Sequence, residues 1–317
     1  MKRLQRLRAT AALRDMTSEI GFGVSHLIQP LFLSAGETKE EPLAGLPGNS
    51  RHTLASLLTQ FEKDLNAGVR QFLVFPVPAH KSNRNFNADF TNTALQQMRQ
   101  RAGGDAAIWV DTCLCSFTES GHCCVHDSRG SQDLAATHSA LALLGVGYVK
   151  AGANGISPSD MNDGRVAHLR AALDGAGFDL APIMSYSTKF ASNYYGPFRD
   201  AADSAPQFGD RRSYQLDVRN RSDALASSRR CAEEGADLLM VKPGQPAADL
   251  IATIKEQTGL QCGAYQVSGE YTSLVLLAEK KFLDFEAGLL ESWYNLRRAG
   301  ASYIITYGAR LAKGMGL

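Results

Sequence analysis

Two lysines stand where a chain would place them for carbonyl chemistry. Lys242 closes the apolar run Leu238 to Val241, which reads as a strand buried on both faces, and Pro243-Gly244 then turns the chain into a helix starting near Pro246. An amine held there loses hydration, which lowers its pKa, and a neutral amine is what a ketone needs to form a Schiff base. Lysines are seldom buried, so the competing reading is a side chain that snorkels outward. Lys189 follows Met184-Ser-Tyr-Ser-Thr in the same manner, just past the end of the preceding strand. Two ammonium groups facing one small cavity repel, which holds at least one of them neutral.

A second cluster points to a metal. Of the six cysteines, Cys113, Cys115, Cys123 and Cys124 crowd together, while Cys231 and Cys262 stand apart. In an extended chain Asp111, Cys113 and Cys115 share one face. Three thiolates around zinc leave a fourth position open, the arrangement of a catalytic site; the alternative is a group of small buried thiols. Spacing alone leaves open which of Cys123, Cys124, His122 and His126 completes the set. Arg199, Arg211, Arg212 and Gln215 lie in or beside a long segment able to close over the site, and arginines there suit bidentate capture of a carboxylate. Ser268 and Tyr307 offer hydroxyls at two further strand ends.

These residues act together only if one scaffold converges them. Apolar runs predict strands at His26–Leu33, Gln71–Val77, Ala107–Leu114, Gly147–Lys150, Ala181–Tyr186, Asp237–Lys242, Cys262–Val267 and Ser302–Tyr307. Helical spacing predicts helices at Arg51–Asn66, Thr93–Arg101, Gln132–Leu144, Arg165–Leu173, Ser222–Glu234, Ala247–Gln257 and Tyr271–Arg298, the last broken near Asp284. Alternation of this kind implies parallel strands joined by right-handed crossovers, and eight units close naturally into a (β/α)₈ TIM barrel of the α/β class. Two insertions, Lys81–Phe90 and Ala201–Asp217, interrupt the rhythm. The expected organisation is an extended N-terminal arm, residues 1–25, followed by a single barrel, residues 26–317.

Composition narrows the partners. A net charge of +1 argues against a nucleic-acid surface, and no apolar run approaches the ~20 residues of a membrane span. The basic start lacks the apolar middle of a secretory signal, so a cytoplasmic location is expected, although an arginine-rich, acid-poor start also has the composition of a transit peptide.

Several longer motifs are more specific. DTCLC…GHC (Asp111–Cys123), PSDMNDGRV (Pro158–Val166), MSYSTKFAS…YGPFRDA (Met184–Ala201), GDRRSYQ (Gly209–Gln215), LMVKPG (Leu239–Gly244) and YQVSGEY (Tyr265–Tyr271) together resemble the 5-aminolevulinate dehydratase, or porphobilinogen synthase, family, over nearly the whole chain. The resemblance implies a zinc-dependent lyase that condenses two molecules of 5-aminolevulinate to porphobilinogen, an early step toward haem, in a homo-octamer embraced by N-terminal arms. It implies Lys242 and Lys189 as Schiff-base lysines for the first and second substrates, and Cys113, Cys115 and Cys123 as zinc ligands. Ser268 and Tyr307 would receive the first carboxylate, Arg199, Arg211 and Gln215 the second, with Asp111 and Ser159 near the amino end of the first substrate.

The chain departs from the family at Thr118–His122, Cys124, Asn154-Gly155, Ser157 and Gly308. Ser227 stands where many bacterial members carry a glutamate for allosteric magnesium, so that ion is not expected here. A relative using the same two-lysine zinc pocket on another aminoketone or keto-acid is the alternative these departures admit.

Overall fold

An unbroken apolar run makes a strand covered on both sides, and β1 (Leu27–Ser34) is buried at every position. In the computed structural model, which describes residues 3–36 and 38–317, the barrel continues through β2 (Gln71–Val77), β3 (Ala107–Thr112), β4 (Gly155–Pro158), β5 (Met184–Lys189), β6 (Leu238–Lys242), β7 (Gln261–Tyr265) and β8 (Ile304–Ile305). These strands pair in parallel in the order β4-β3-β2-β1-β8-β7-β6-β5. A bridge from Ile156 in β4 to Ile183, just ahead of β5, brings the open ends together. The result is the (β/α)₈ barrel that alternation predicts.

Ahead of β1 lie a 3₁₀ turn, Leu4–Arg8, and a six-residue helix α1 (Ala11–Met16) that buries none of its side chains. The first two residues of the expected arm lie outside the described residues. The outer layer is α2 (Leu54–Asn66), α3 (Asp89–Ala102), α4 (Leu134–Lys150), α5 (Arg165–Gly175), α6 (Gly196–Ala201), α7 (Arg221–Glu233), α8 (Ala248–Thr258), α9 (Ser268–Glu279) and α10 (Phe285–Arg298). Asp284 ends the predicted break between α9 and α10 by accepting Ala287 N–H at 2.9 Å, an N-cap for α10.

One predicted strand is wrong. Gly147–Lys150 is the last turn of α4, and the fourth strand is Gly155–Pro158. The buried positions Thr137, His138, Leu141, Leu144, Gly145 and Tyr148 keep helical spacing straight through the two glycines. Gly145 marks a close approach rather than a break: a Cβ there would lie 3.1 Å from both Ile156 Cδ1 and Leu169 Cδ2.

Asn154, Gly155 and Ser157 close the barrel around β4. Asn154 Oδ1 accepts Ile108 N–H at 2.8 Å, fastening the start of β4 to β3. Ser157 Oγ donates to Met184 O at 2.8 Å, adding a link to β5 where the backbone ladder is shortest. Gly155 is forced by packing, since a Cβ would lie 2.4 Å from Pro182 O.

Candidate active site

The register of β5 against β6 pairs Lys189 with Lys242 directly. Both side chains are buried inside the C-terminal mouth of the barrel, the face on which barrel enzymes build their sites. Lys242 Nζ lies 4.2 Å from the ring centre of Tyr265, 4.5 Å from Phe198, 5.1 Å from Tyr186 and 5.2 Å from Tyr195. Desolvation inside this aromatic cage, reinforced by the charge of Lys189, holds the Lys242 amine well below the ordinary lysine range. Lys189 Nζ donates to the carbonyl of Ser159.

A buried ion pair positions that carbonyl. Asp160 and Arg165 are both fully enclosed, with Oδ1 and Nε 3.5 Å apart, and Arg165 Nη2 donates to Tyr186 O at 3.2 Å. Asn162 Nδ2 donates to Asp160 Oδ2 at 2.7 Å and to Cys123 O at 3.1 Å, joining the Ser159 loop to the cysteine loop. Removing one partner of such a buried pair typically costs about 3–5 kcal/mol.

Asp111, Cys113, Cys115, Ser159, Lys189, Arg211 and Lys242 line one nearly closed pocket, with Phe75 and Phe198 among its apolar walls. A wider cavity of about 830 Å³, lined by Pro243 and Arg219 among others, holds none of them. Burial pushes the Asp111 carboxyl up to about 6, against the pull of Lys189, and its Oδ1 has no hydrogen-bond partner.

Cys113, Cys115 and Cys123 bring their sulfurs within 4.8 Å of one another. The turn that returns Cys123 to the strand end needs Gly121, which has φ +67° and leaves no room for a side chain: a Cβ would lie 2.2 Å from Ala205 O. His122 is committed elsewhere, with Nδ1 2.9 Å from Tyr214 Oη and Nε2 2.9 Å from Phe208 O. Cys124 faces away, 3.9 Å from His126 Nε2. Spacing leaves four candidates for the third ligand; β3 ends at Thr112, short of the expected Leu114, so Cys113 and Cys115 lie in the turn after it, and among the described residues the fold groups only Cys123 with them.

The segment after β5 folds back over the mouth. Gln207 N–H reaches Ser120 O at 2.9 Å, and Lys81 Nζ meets Asp203 Oδ2 at 2.9 Å, so the two insertions touch. Arg211 Nη2 donates to Gly121 O at 2.7 Å. The Nε atoms of Arg199 and Arg211 and both amide atoms of Gln215 are buried without partners. Burial and the neighbouring Arg211 charge depress the Arg199 guanidinium. Two neighbouring cations and an unsatisfied amide are groups whose buried donors an anion would satisfy.

Ser268 and Tyr307 stand outside the pocket wall. Ser268 Oγ accepts Phe198 N–H at 3.0 Å, tying α9 to α6, and Tyr307 Oη pairs with Tyr265 Oη at 3.2 Å. Each therefore touches a residue of the Lys242 cage. Sequence pattern does not separate that cage from ordinary core: Tyr186 lies on β5 with Lys189, Tyr265 on β7 beside the Lys242 strand, and Phe198 in the YGPFRDA motif. Gly308 is a packing exchange: a Cβ would lie 2.6 Å from Leu289 Cδ2 and 3.3 Å from Trp293 Cζ2.

The comparisons with known proteins identify a family. A family model described as delta-aminolevulinic acid dehydratase matches residues 1–315. The delta-aminolevulinic acid dehydratase of Halalkalibacterium halodurans is 41% identical over 317 residues, covering 98% of this chain and 95% of the relative. That of Helicobacter pylori is 38% identical over 314 residues, covering 98% and 97%. The crystal structure of the Toxoplasma gondii delta-aminolevulinic acid dehydratase, in complex with the reaction product porphobilinogen, superposes with a TM-score of 0.95 at 36% identity, covering 99% of this chain and 91% of that one.

Proposed function

The chain belongs to the delta-aminolevulinic acid dehydratase family, whose reaction joins two 5-aminolevulinate molecules into porphobilinogen and two waters, and we propose that here the reaction runs on the paired lysines Lys242 and Lys189. The register contact between them carries the reading: two ketones that must enter one five-membered ring call for two amines side by side. Lys242, kept neutral by its aromatic cage, adds to the ketone of the first substrate, whose oxygen leaves as water. Lys189 holds the second. Ser268 and Tyr307 receive the first carboxylate, and Arg199, Arg211 and Gln215 the second, which supplies the partners their buried atoms lack. Asp111, with a carboxyl near 6 and an unpartnered Oδ1, moves protons at the amino end of the first substrate beside Ser159.

The three thiols fit a zinc ion by donor softness, by their mutual distances and, among the described residues, by a group of three rather than four protein ligands. When bound, zinc there supplies a Lewis acid beside the second substrate. Arg211 lies close enough to the cysteines for their charge to strengthen its own.

Two wider features belong to the same reading. An arm of residues 1–25 that packs on neighbouring barrels in a homo-octamer would cover Leu7 and Met16, which are 53% and 72% exposed. Six free, buried cysteines accord with a reducing, cytoplasmic setting. Among the described residues no helix is long and apolar enough to cross a membrane.

The activity is read directly. Zinc-loaded protein given 5-aminolevulinate alone should form a pyrrole that colours with acidic dimethylaminobenzaldehyde. No colour at saturating substrate would overturn the reading and return the divergent-substrate alternative.

A further inference from the structure

Glu270 lies outside the pocket, yet its side chain is buried and takes backbone N–H groups from two separate turns. Oε2 accepts Val267 N–H at 2.8 Å, the capping contact within the first turn of α9. The same oxygen accepts Gly244 N–H at 3.1 Å, and Oε1 accepts Gln245 N–H at 2.7 Å. A cap for α9 needs only the first of these. The other two come from the turn that follows Lys242. That turn lies flat against the end of β7, because a Cβ on Gly244 would sit 3.0 Å from Tyr265 O. Burial raises the Glu270 carboxyl to about 7 even against its three donors, so a costly group is kept where a serine cap would serve α9 alone.

We infer that Glu270 is a positioning residue: its carboxylate ties the Lys242–Gln245 turn to the Val267–Ser268 turn, and so fixes the span between the amine that takes the first ketone and the hydroxyl that takes its carboxylate. The substrate selected is a 4-oxo acid, with two methylenes between ketone and carboxylate. The inference rests on the roles proposed above for Lys242 and Ser268. Charge-assisted bonds to two turns make the carboxylate a stiffer tie than a neutral amide, which would direct N–H against N–H at one of them.

Two ketones separate this role from plain structural support. Both 4-oxopentanoate and 2-pentanone can form a Schiff base with Lys242, but only the first has a carboxylate to anchor. Borohydride trapping at Lys242, measured by peptide mass spectrometry against ketone concentration, gives a midpoint for each. In the unmutated protein 4-oxopentanoate should trap at the lower concentration. In Glu270→Gln that advantage should shrink by about tenfold, the worth of one anchoring hydrogen bond, with the 2-pentanone midpoint unmoved. Glu270→Asp keeps the charge and a cap for α9 but reaches one methylene less far, and should show the same selective loss; it decides the matter alone where Glu270→Gln does not fold. An equal loss for both ketones, or for neither, overturns the inference while the lysine assignment stands. No Lys242 adduct in the unmutated protein overturns the lysine assignment itself, and this inference with it.

Discussion

Replacing Lys242 by methionine is expected to lower kcat by roughly 10⁶-fold, the scale on which deletion of a covalent nucleophile is felt, while leaving a folded barrel. Methionine keeps most of the apolar stem among Tyr186, Tyr195, Phe198 and Tyr265 and removes the amine. The effect on stability has a definite sign. Burial depresses the amine in the folded state, so the unfolded chain binds a proton there that the folded chain does not. That linkage makes the parent more stable as pH rises toward the unfolded lysine pKa, about 10.4, and penalises it below. Lys242→Met escapes the penalty. Its melting temperature relative to the parent should therefore be higher at pH 6 than at pH 9, measured by calorimetry at both. A kcat within tenfold of the parent would contradict the assignment.

Removing the metal should have an effect of similar size. A strong chelator is expected to bring activity to background, zinc to restore it, and magnesium alone to leave it there. Soft thiolates select zinc over magnesium. Burial pushes the Cys113 thiol up, and Cys115, although Cys113 donates to it, is pushed up to about 11 by Cys123 and burial. Cys123 is drawn the other way by donation from both. Zinc must displace protons from the first two, so its affinity should fall as pH falls. Adding magnesium to zinc-loaded enzyme should give no further activation. Ser227, where the resemblance implies a magnesium-binding glutamate in many bacterial members, spends its hydroxyl on Ser187 O at 2.7 Å. Full activity in a preparation shown to be free of zinc would contradict the cysteine assignment, and saturable magnesium activation would contradict the reading of Ser227.

The barrel was legible because its strands are apolar runs bounded by helices of clear period, and β2, Gln71–Val77, falls where it was expected. The fourth strand was not. Its four residues carry Gly155 and Ser157, chosen for close packing and for a hydrogen bond across the seam rather than for strand propensity. Meanwhile the glycines of α4 imitate a break. The lysines and cysteines were visible as types at strand ends, but their meeting depends on strand register, which no local pattern encodes. Cys123 could be told from Cys124 only once the turn at Gly121 had set which sulfur faces β3. The Lys242 cage was hidden because it draws on the strand pair, on β7 and on the segment between β5 and α7, and aromatic residues there read equally well as core.

If Lys242 forms the covalent bond to the first substrate, 5-aminolevulinate itself can be trapped on it. Zinc-loaded enzyme is mixed with 5-aminolevulinate, reduced with borohydride, digested and sequenced by mass spectrometry. The reduced adduct is expected on the peptide carrying Lys242, in proportion to the activity lost. Inactivation with adducts confined to other lysines, and none on Lys242, would contradict that covalent role.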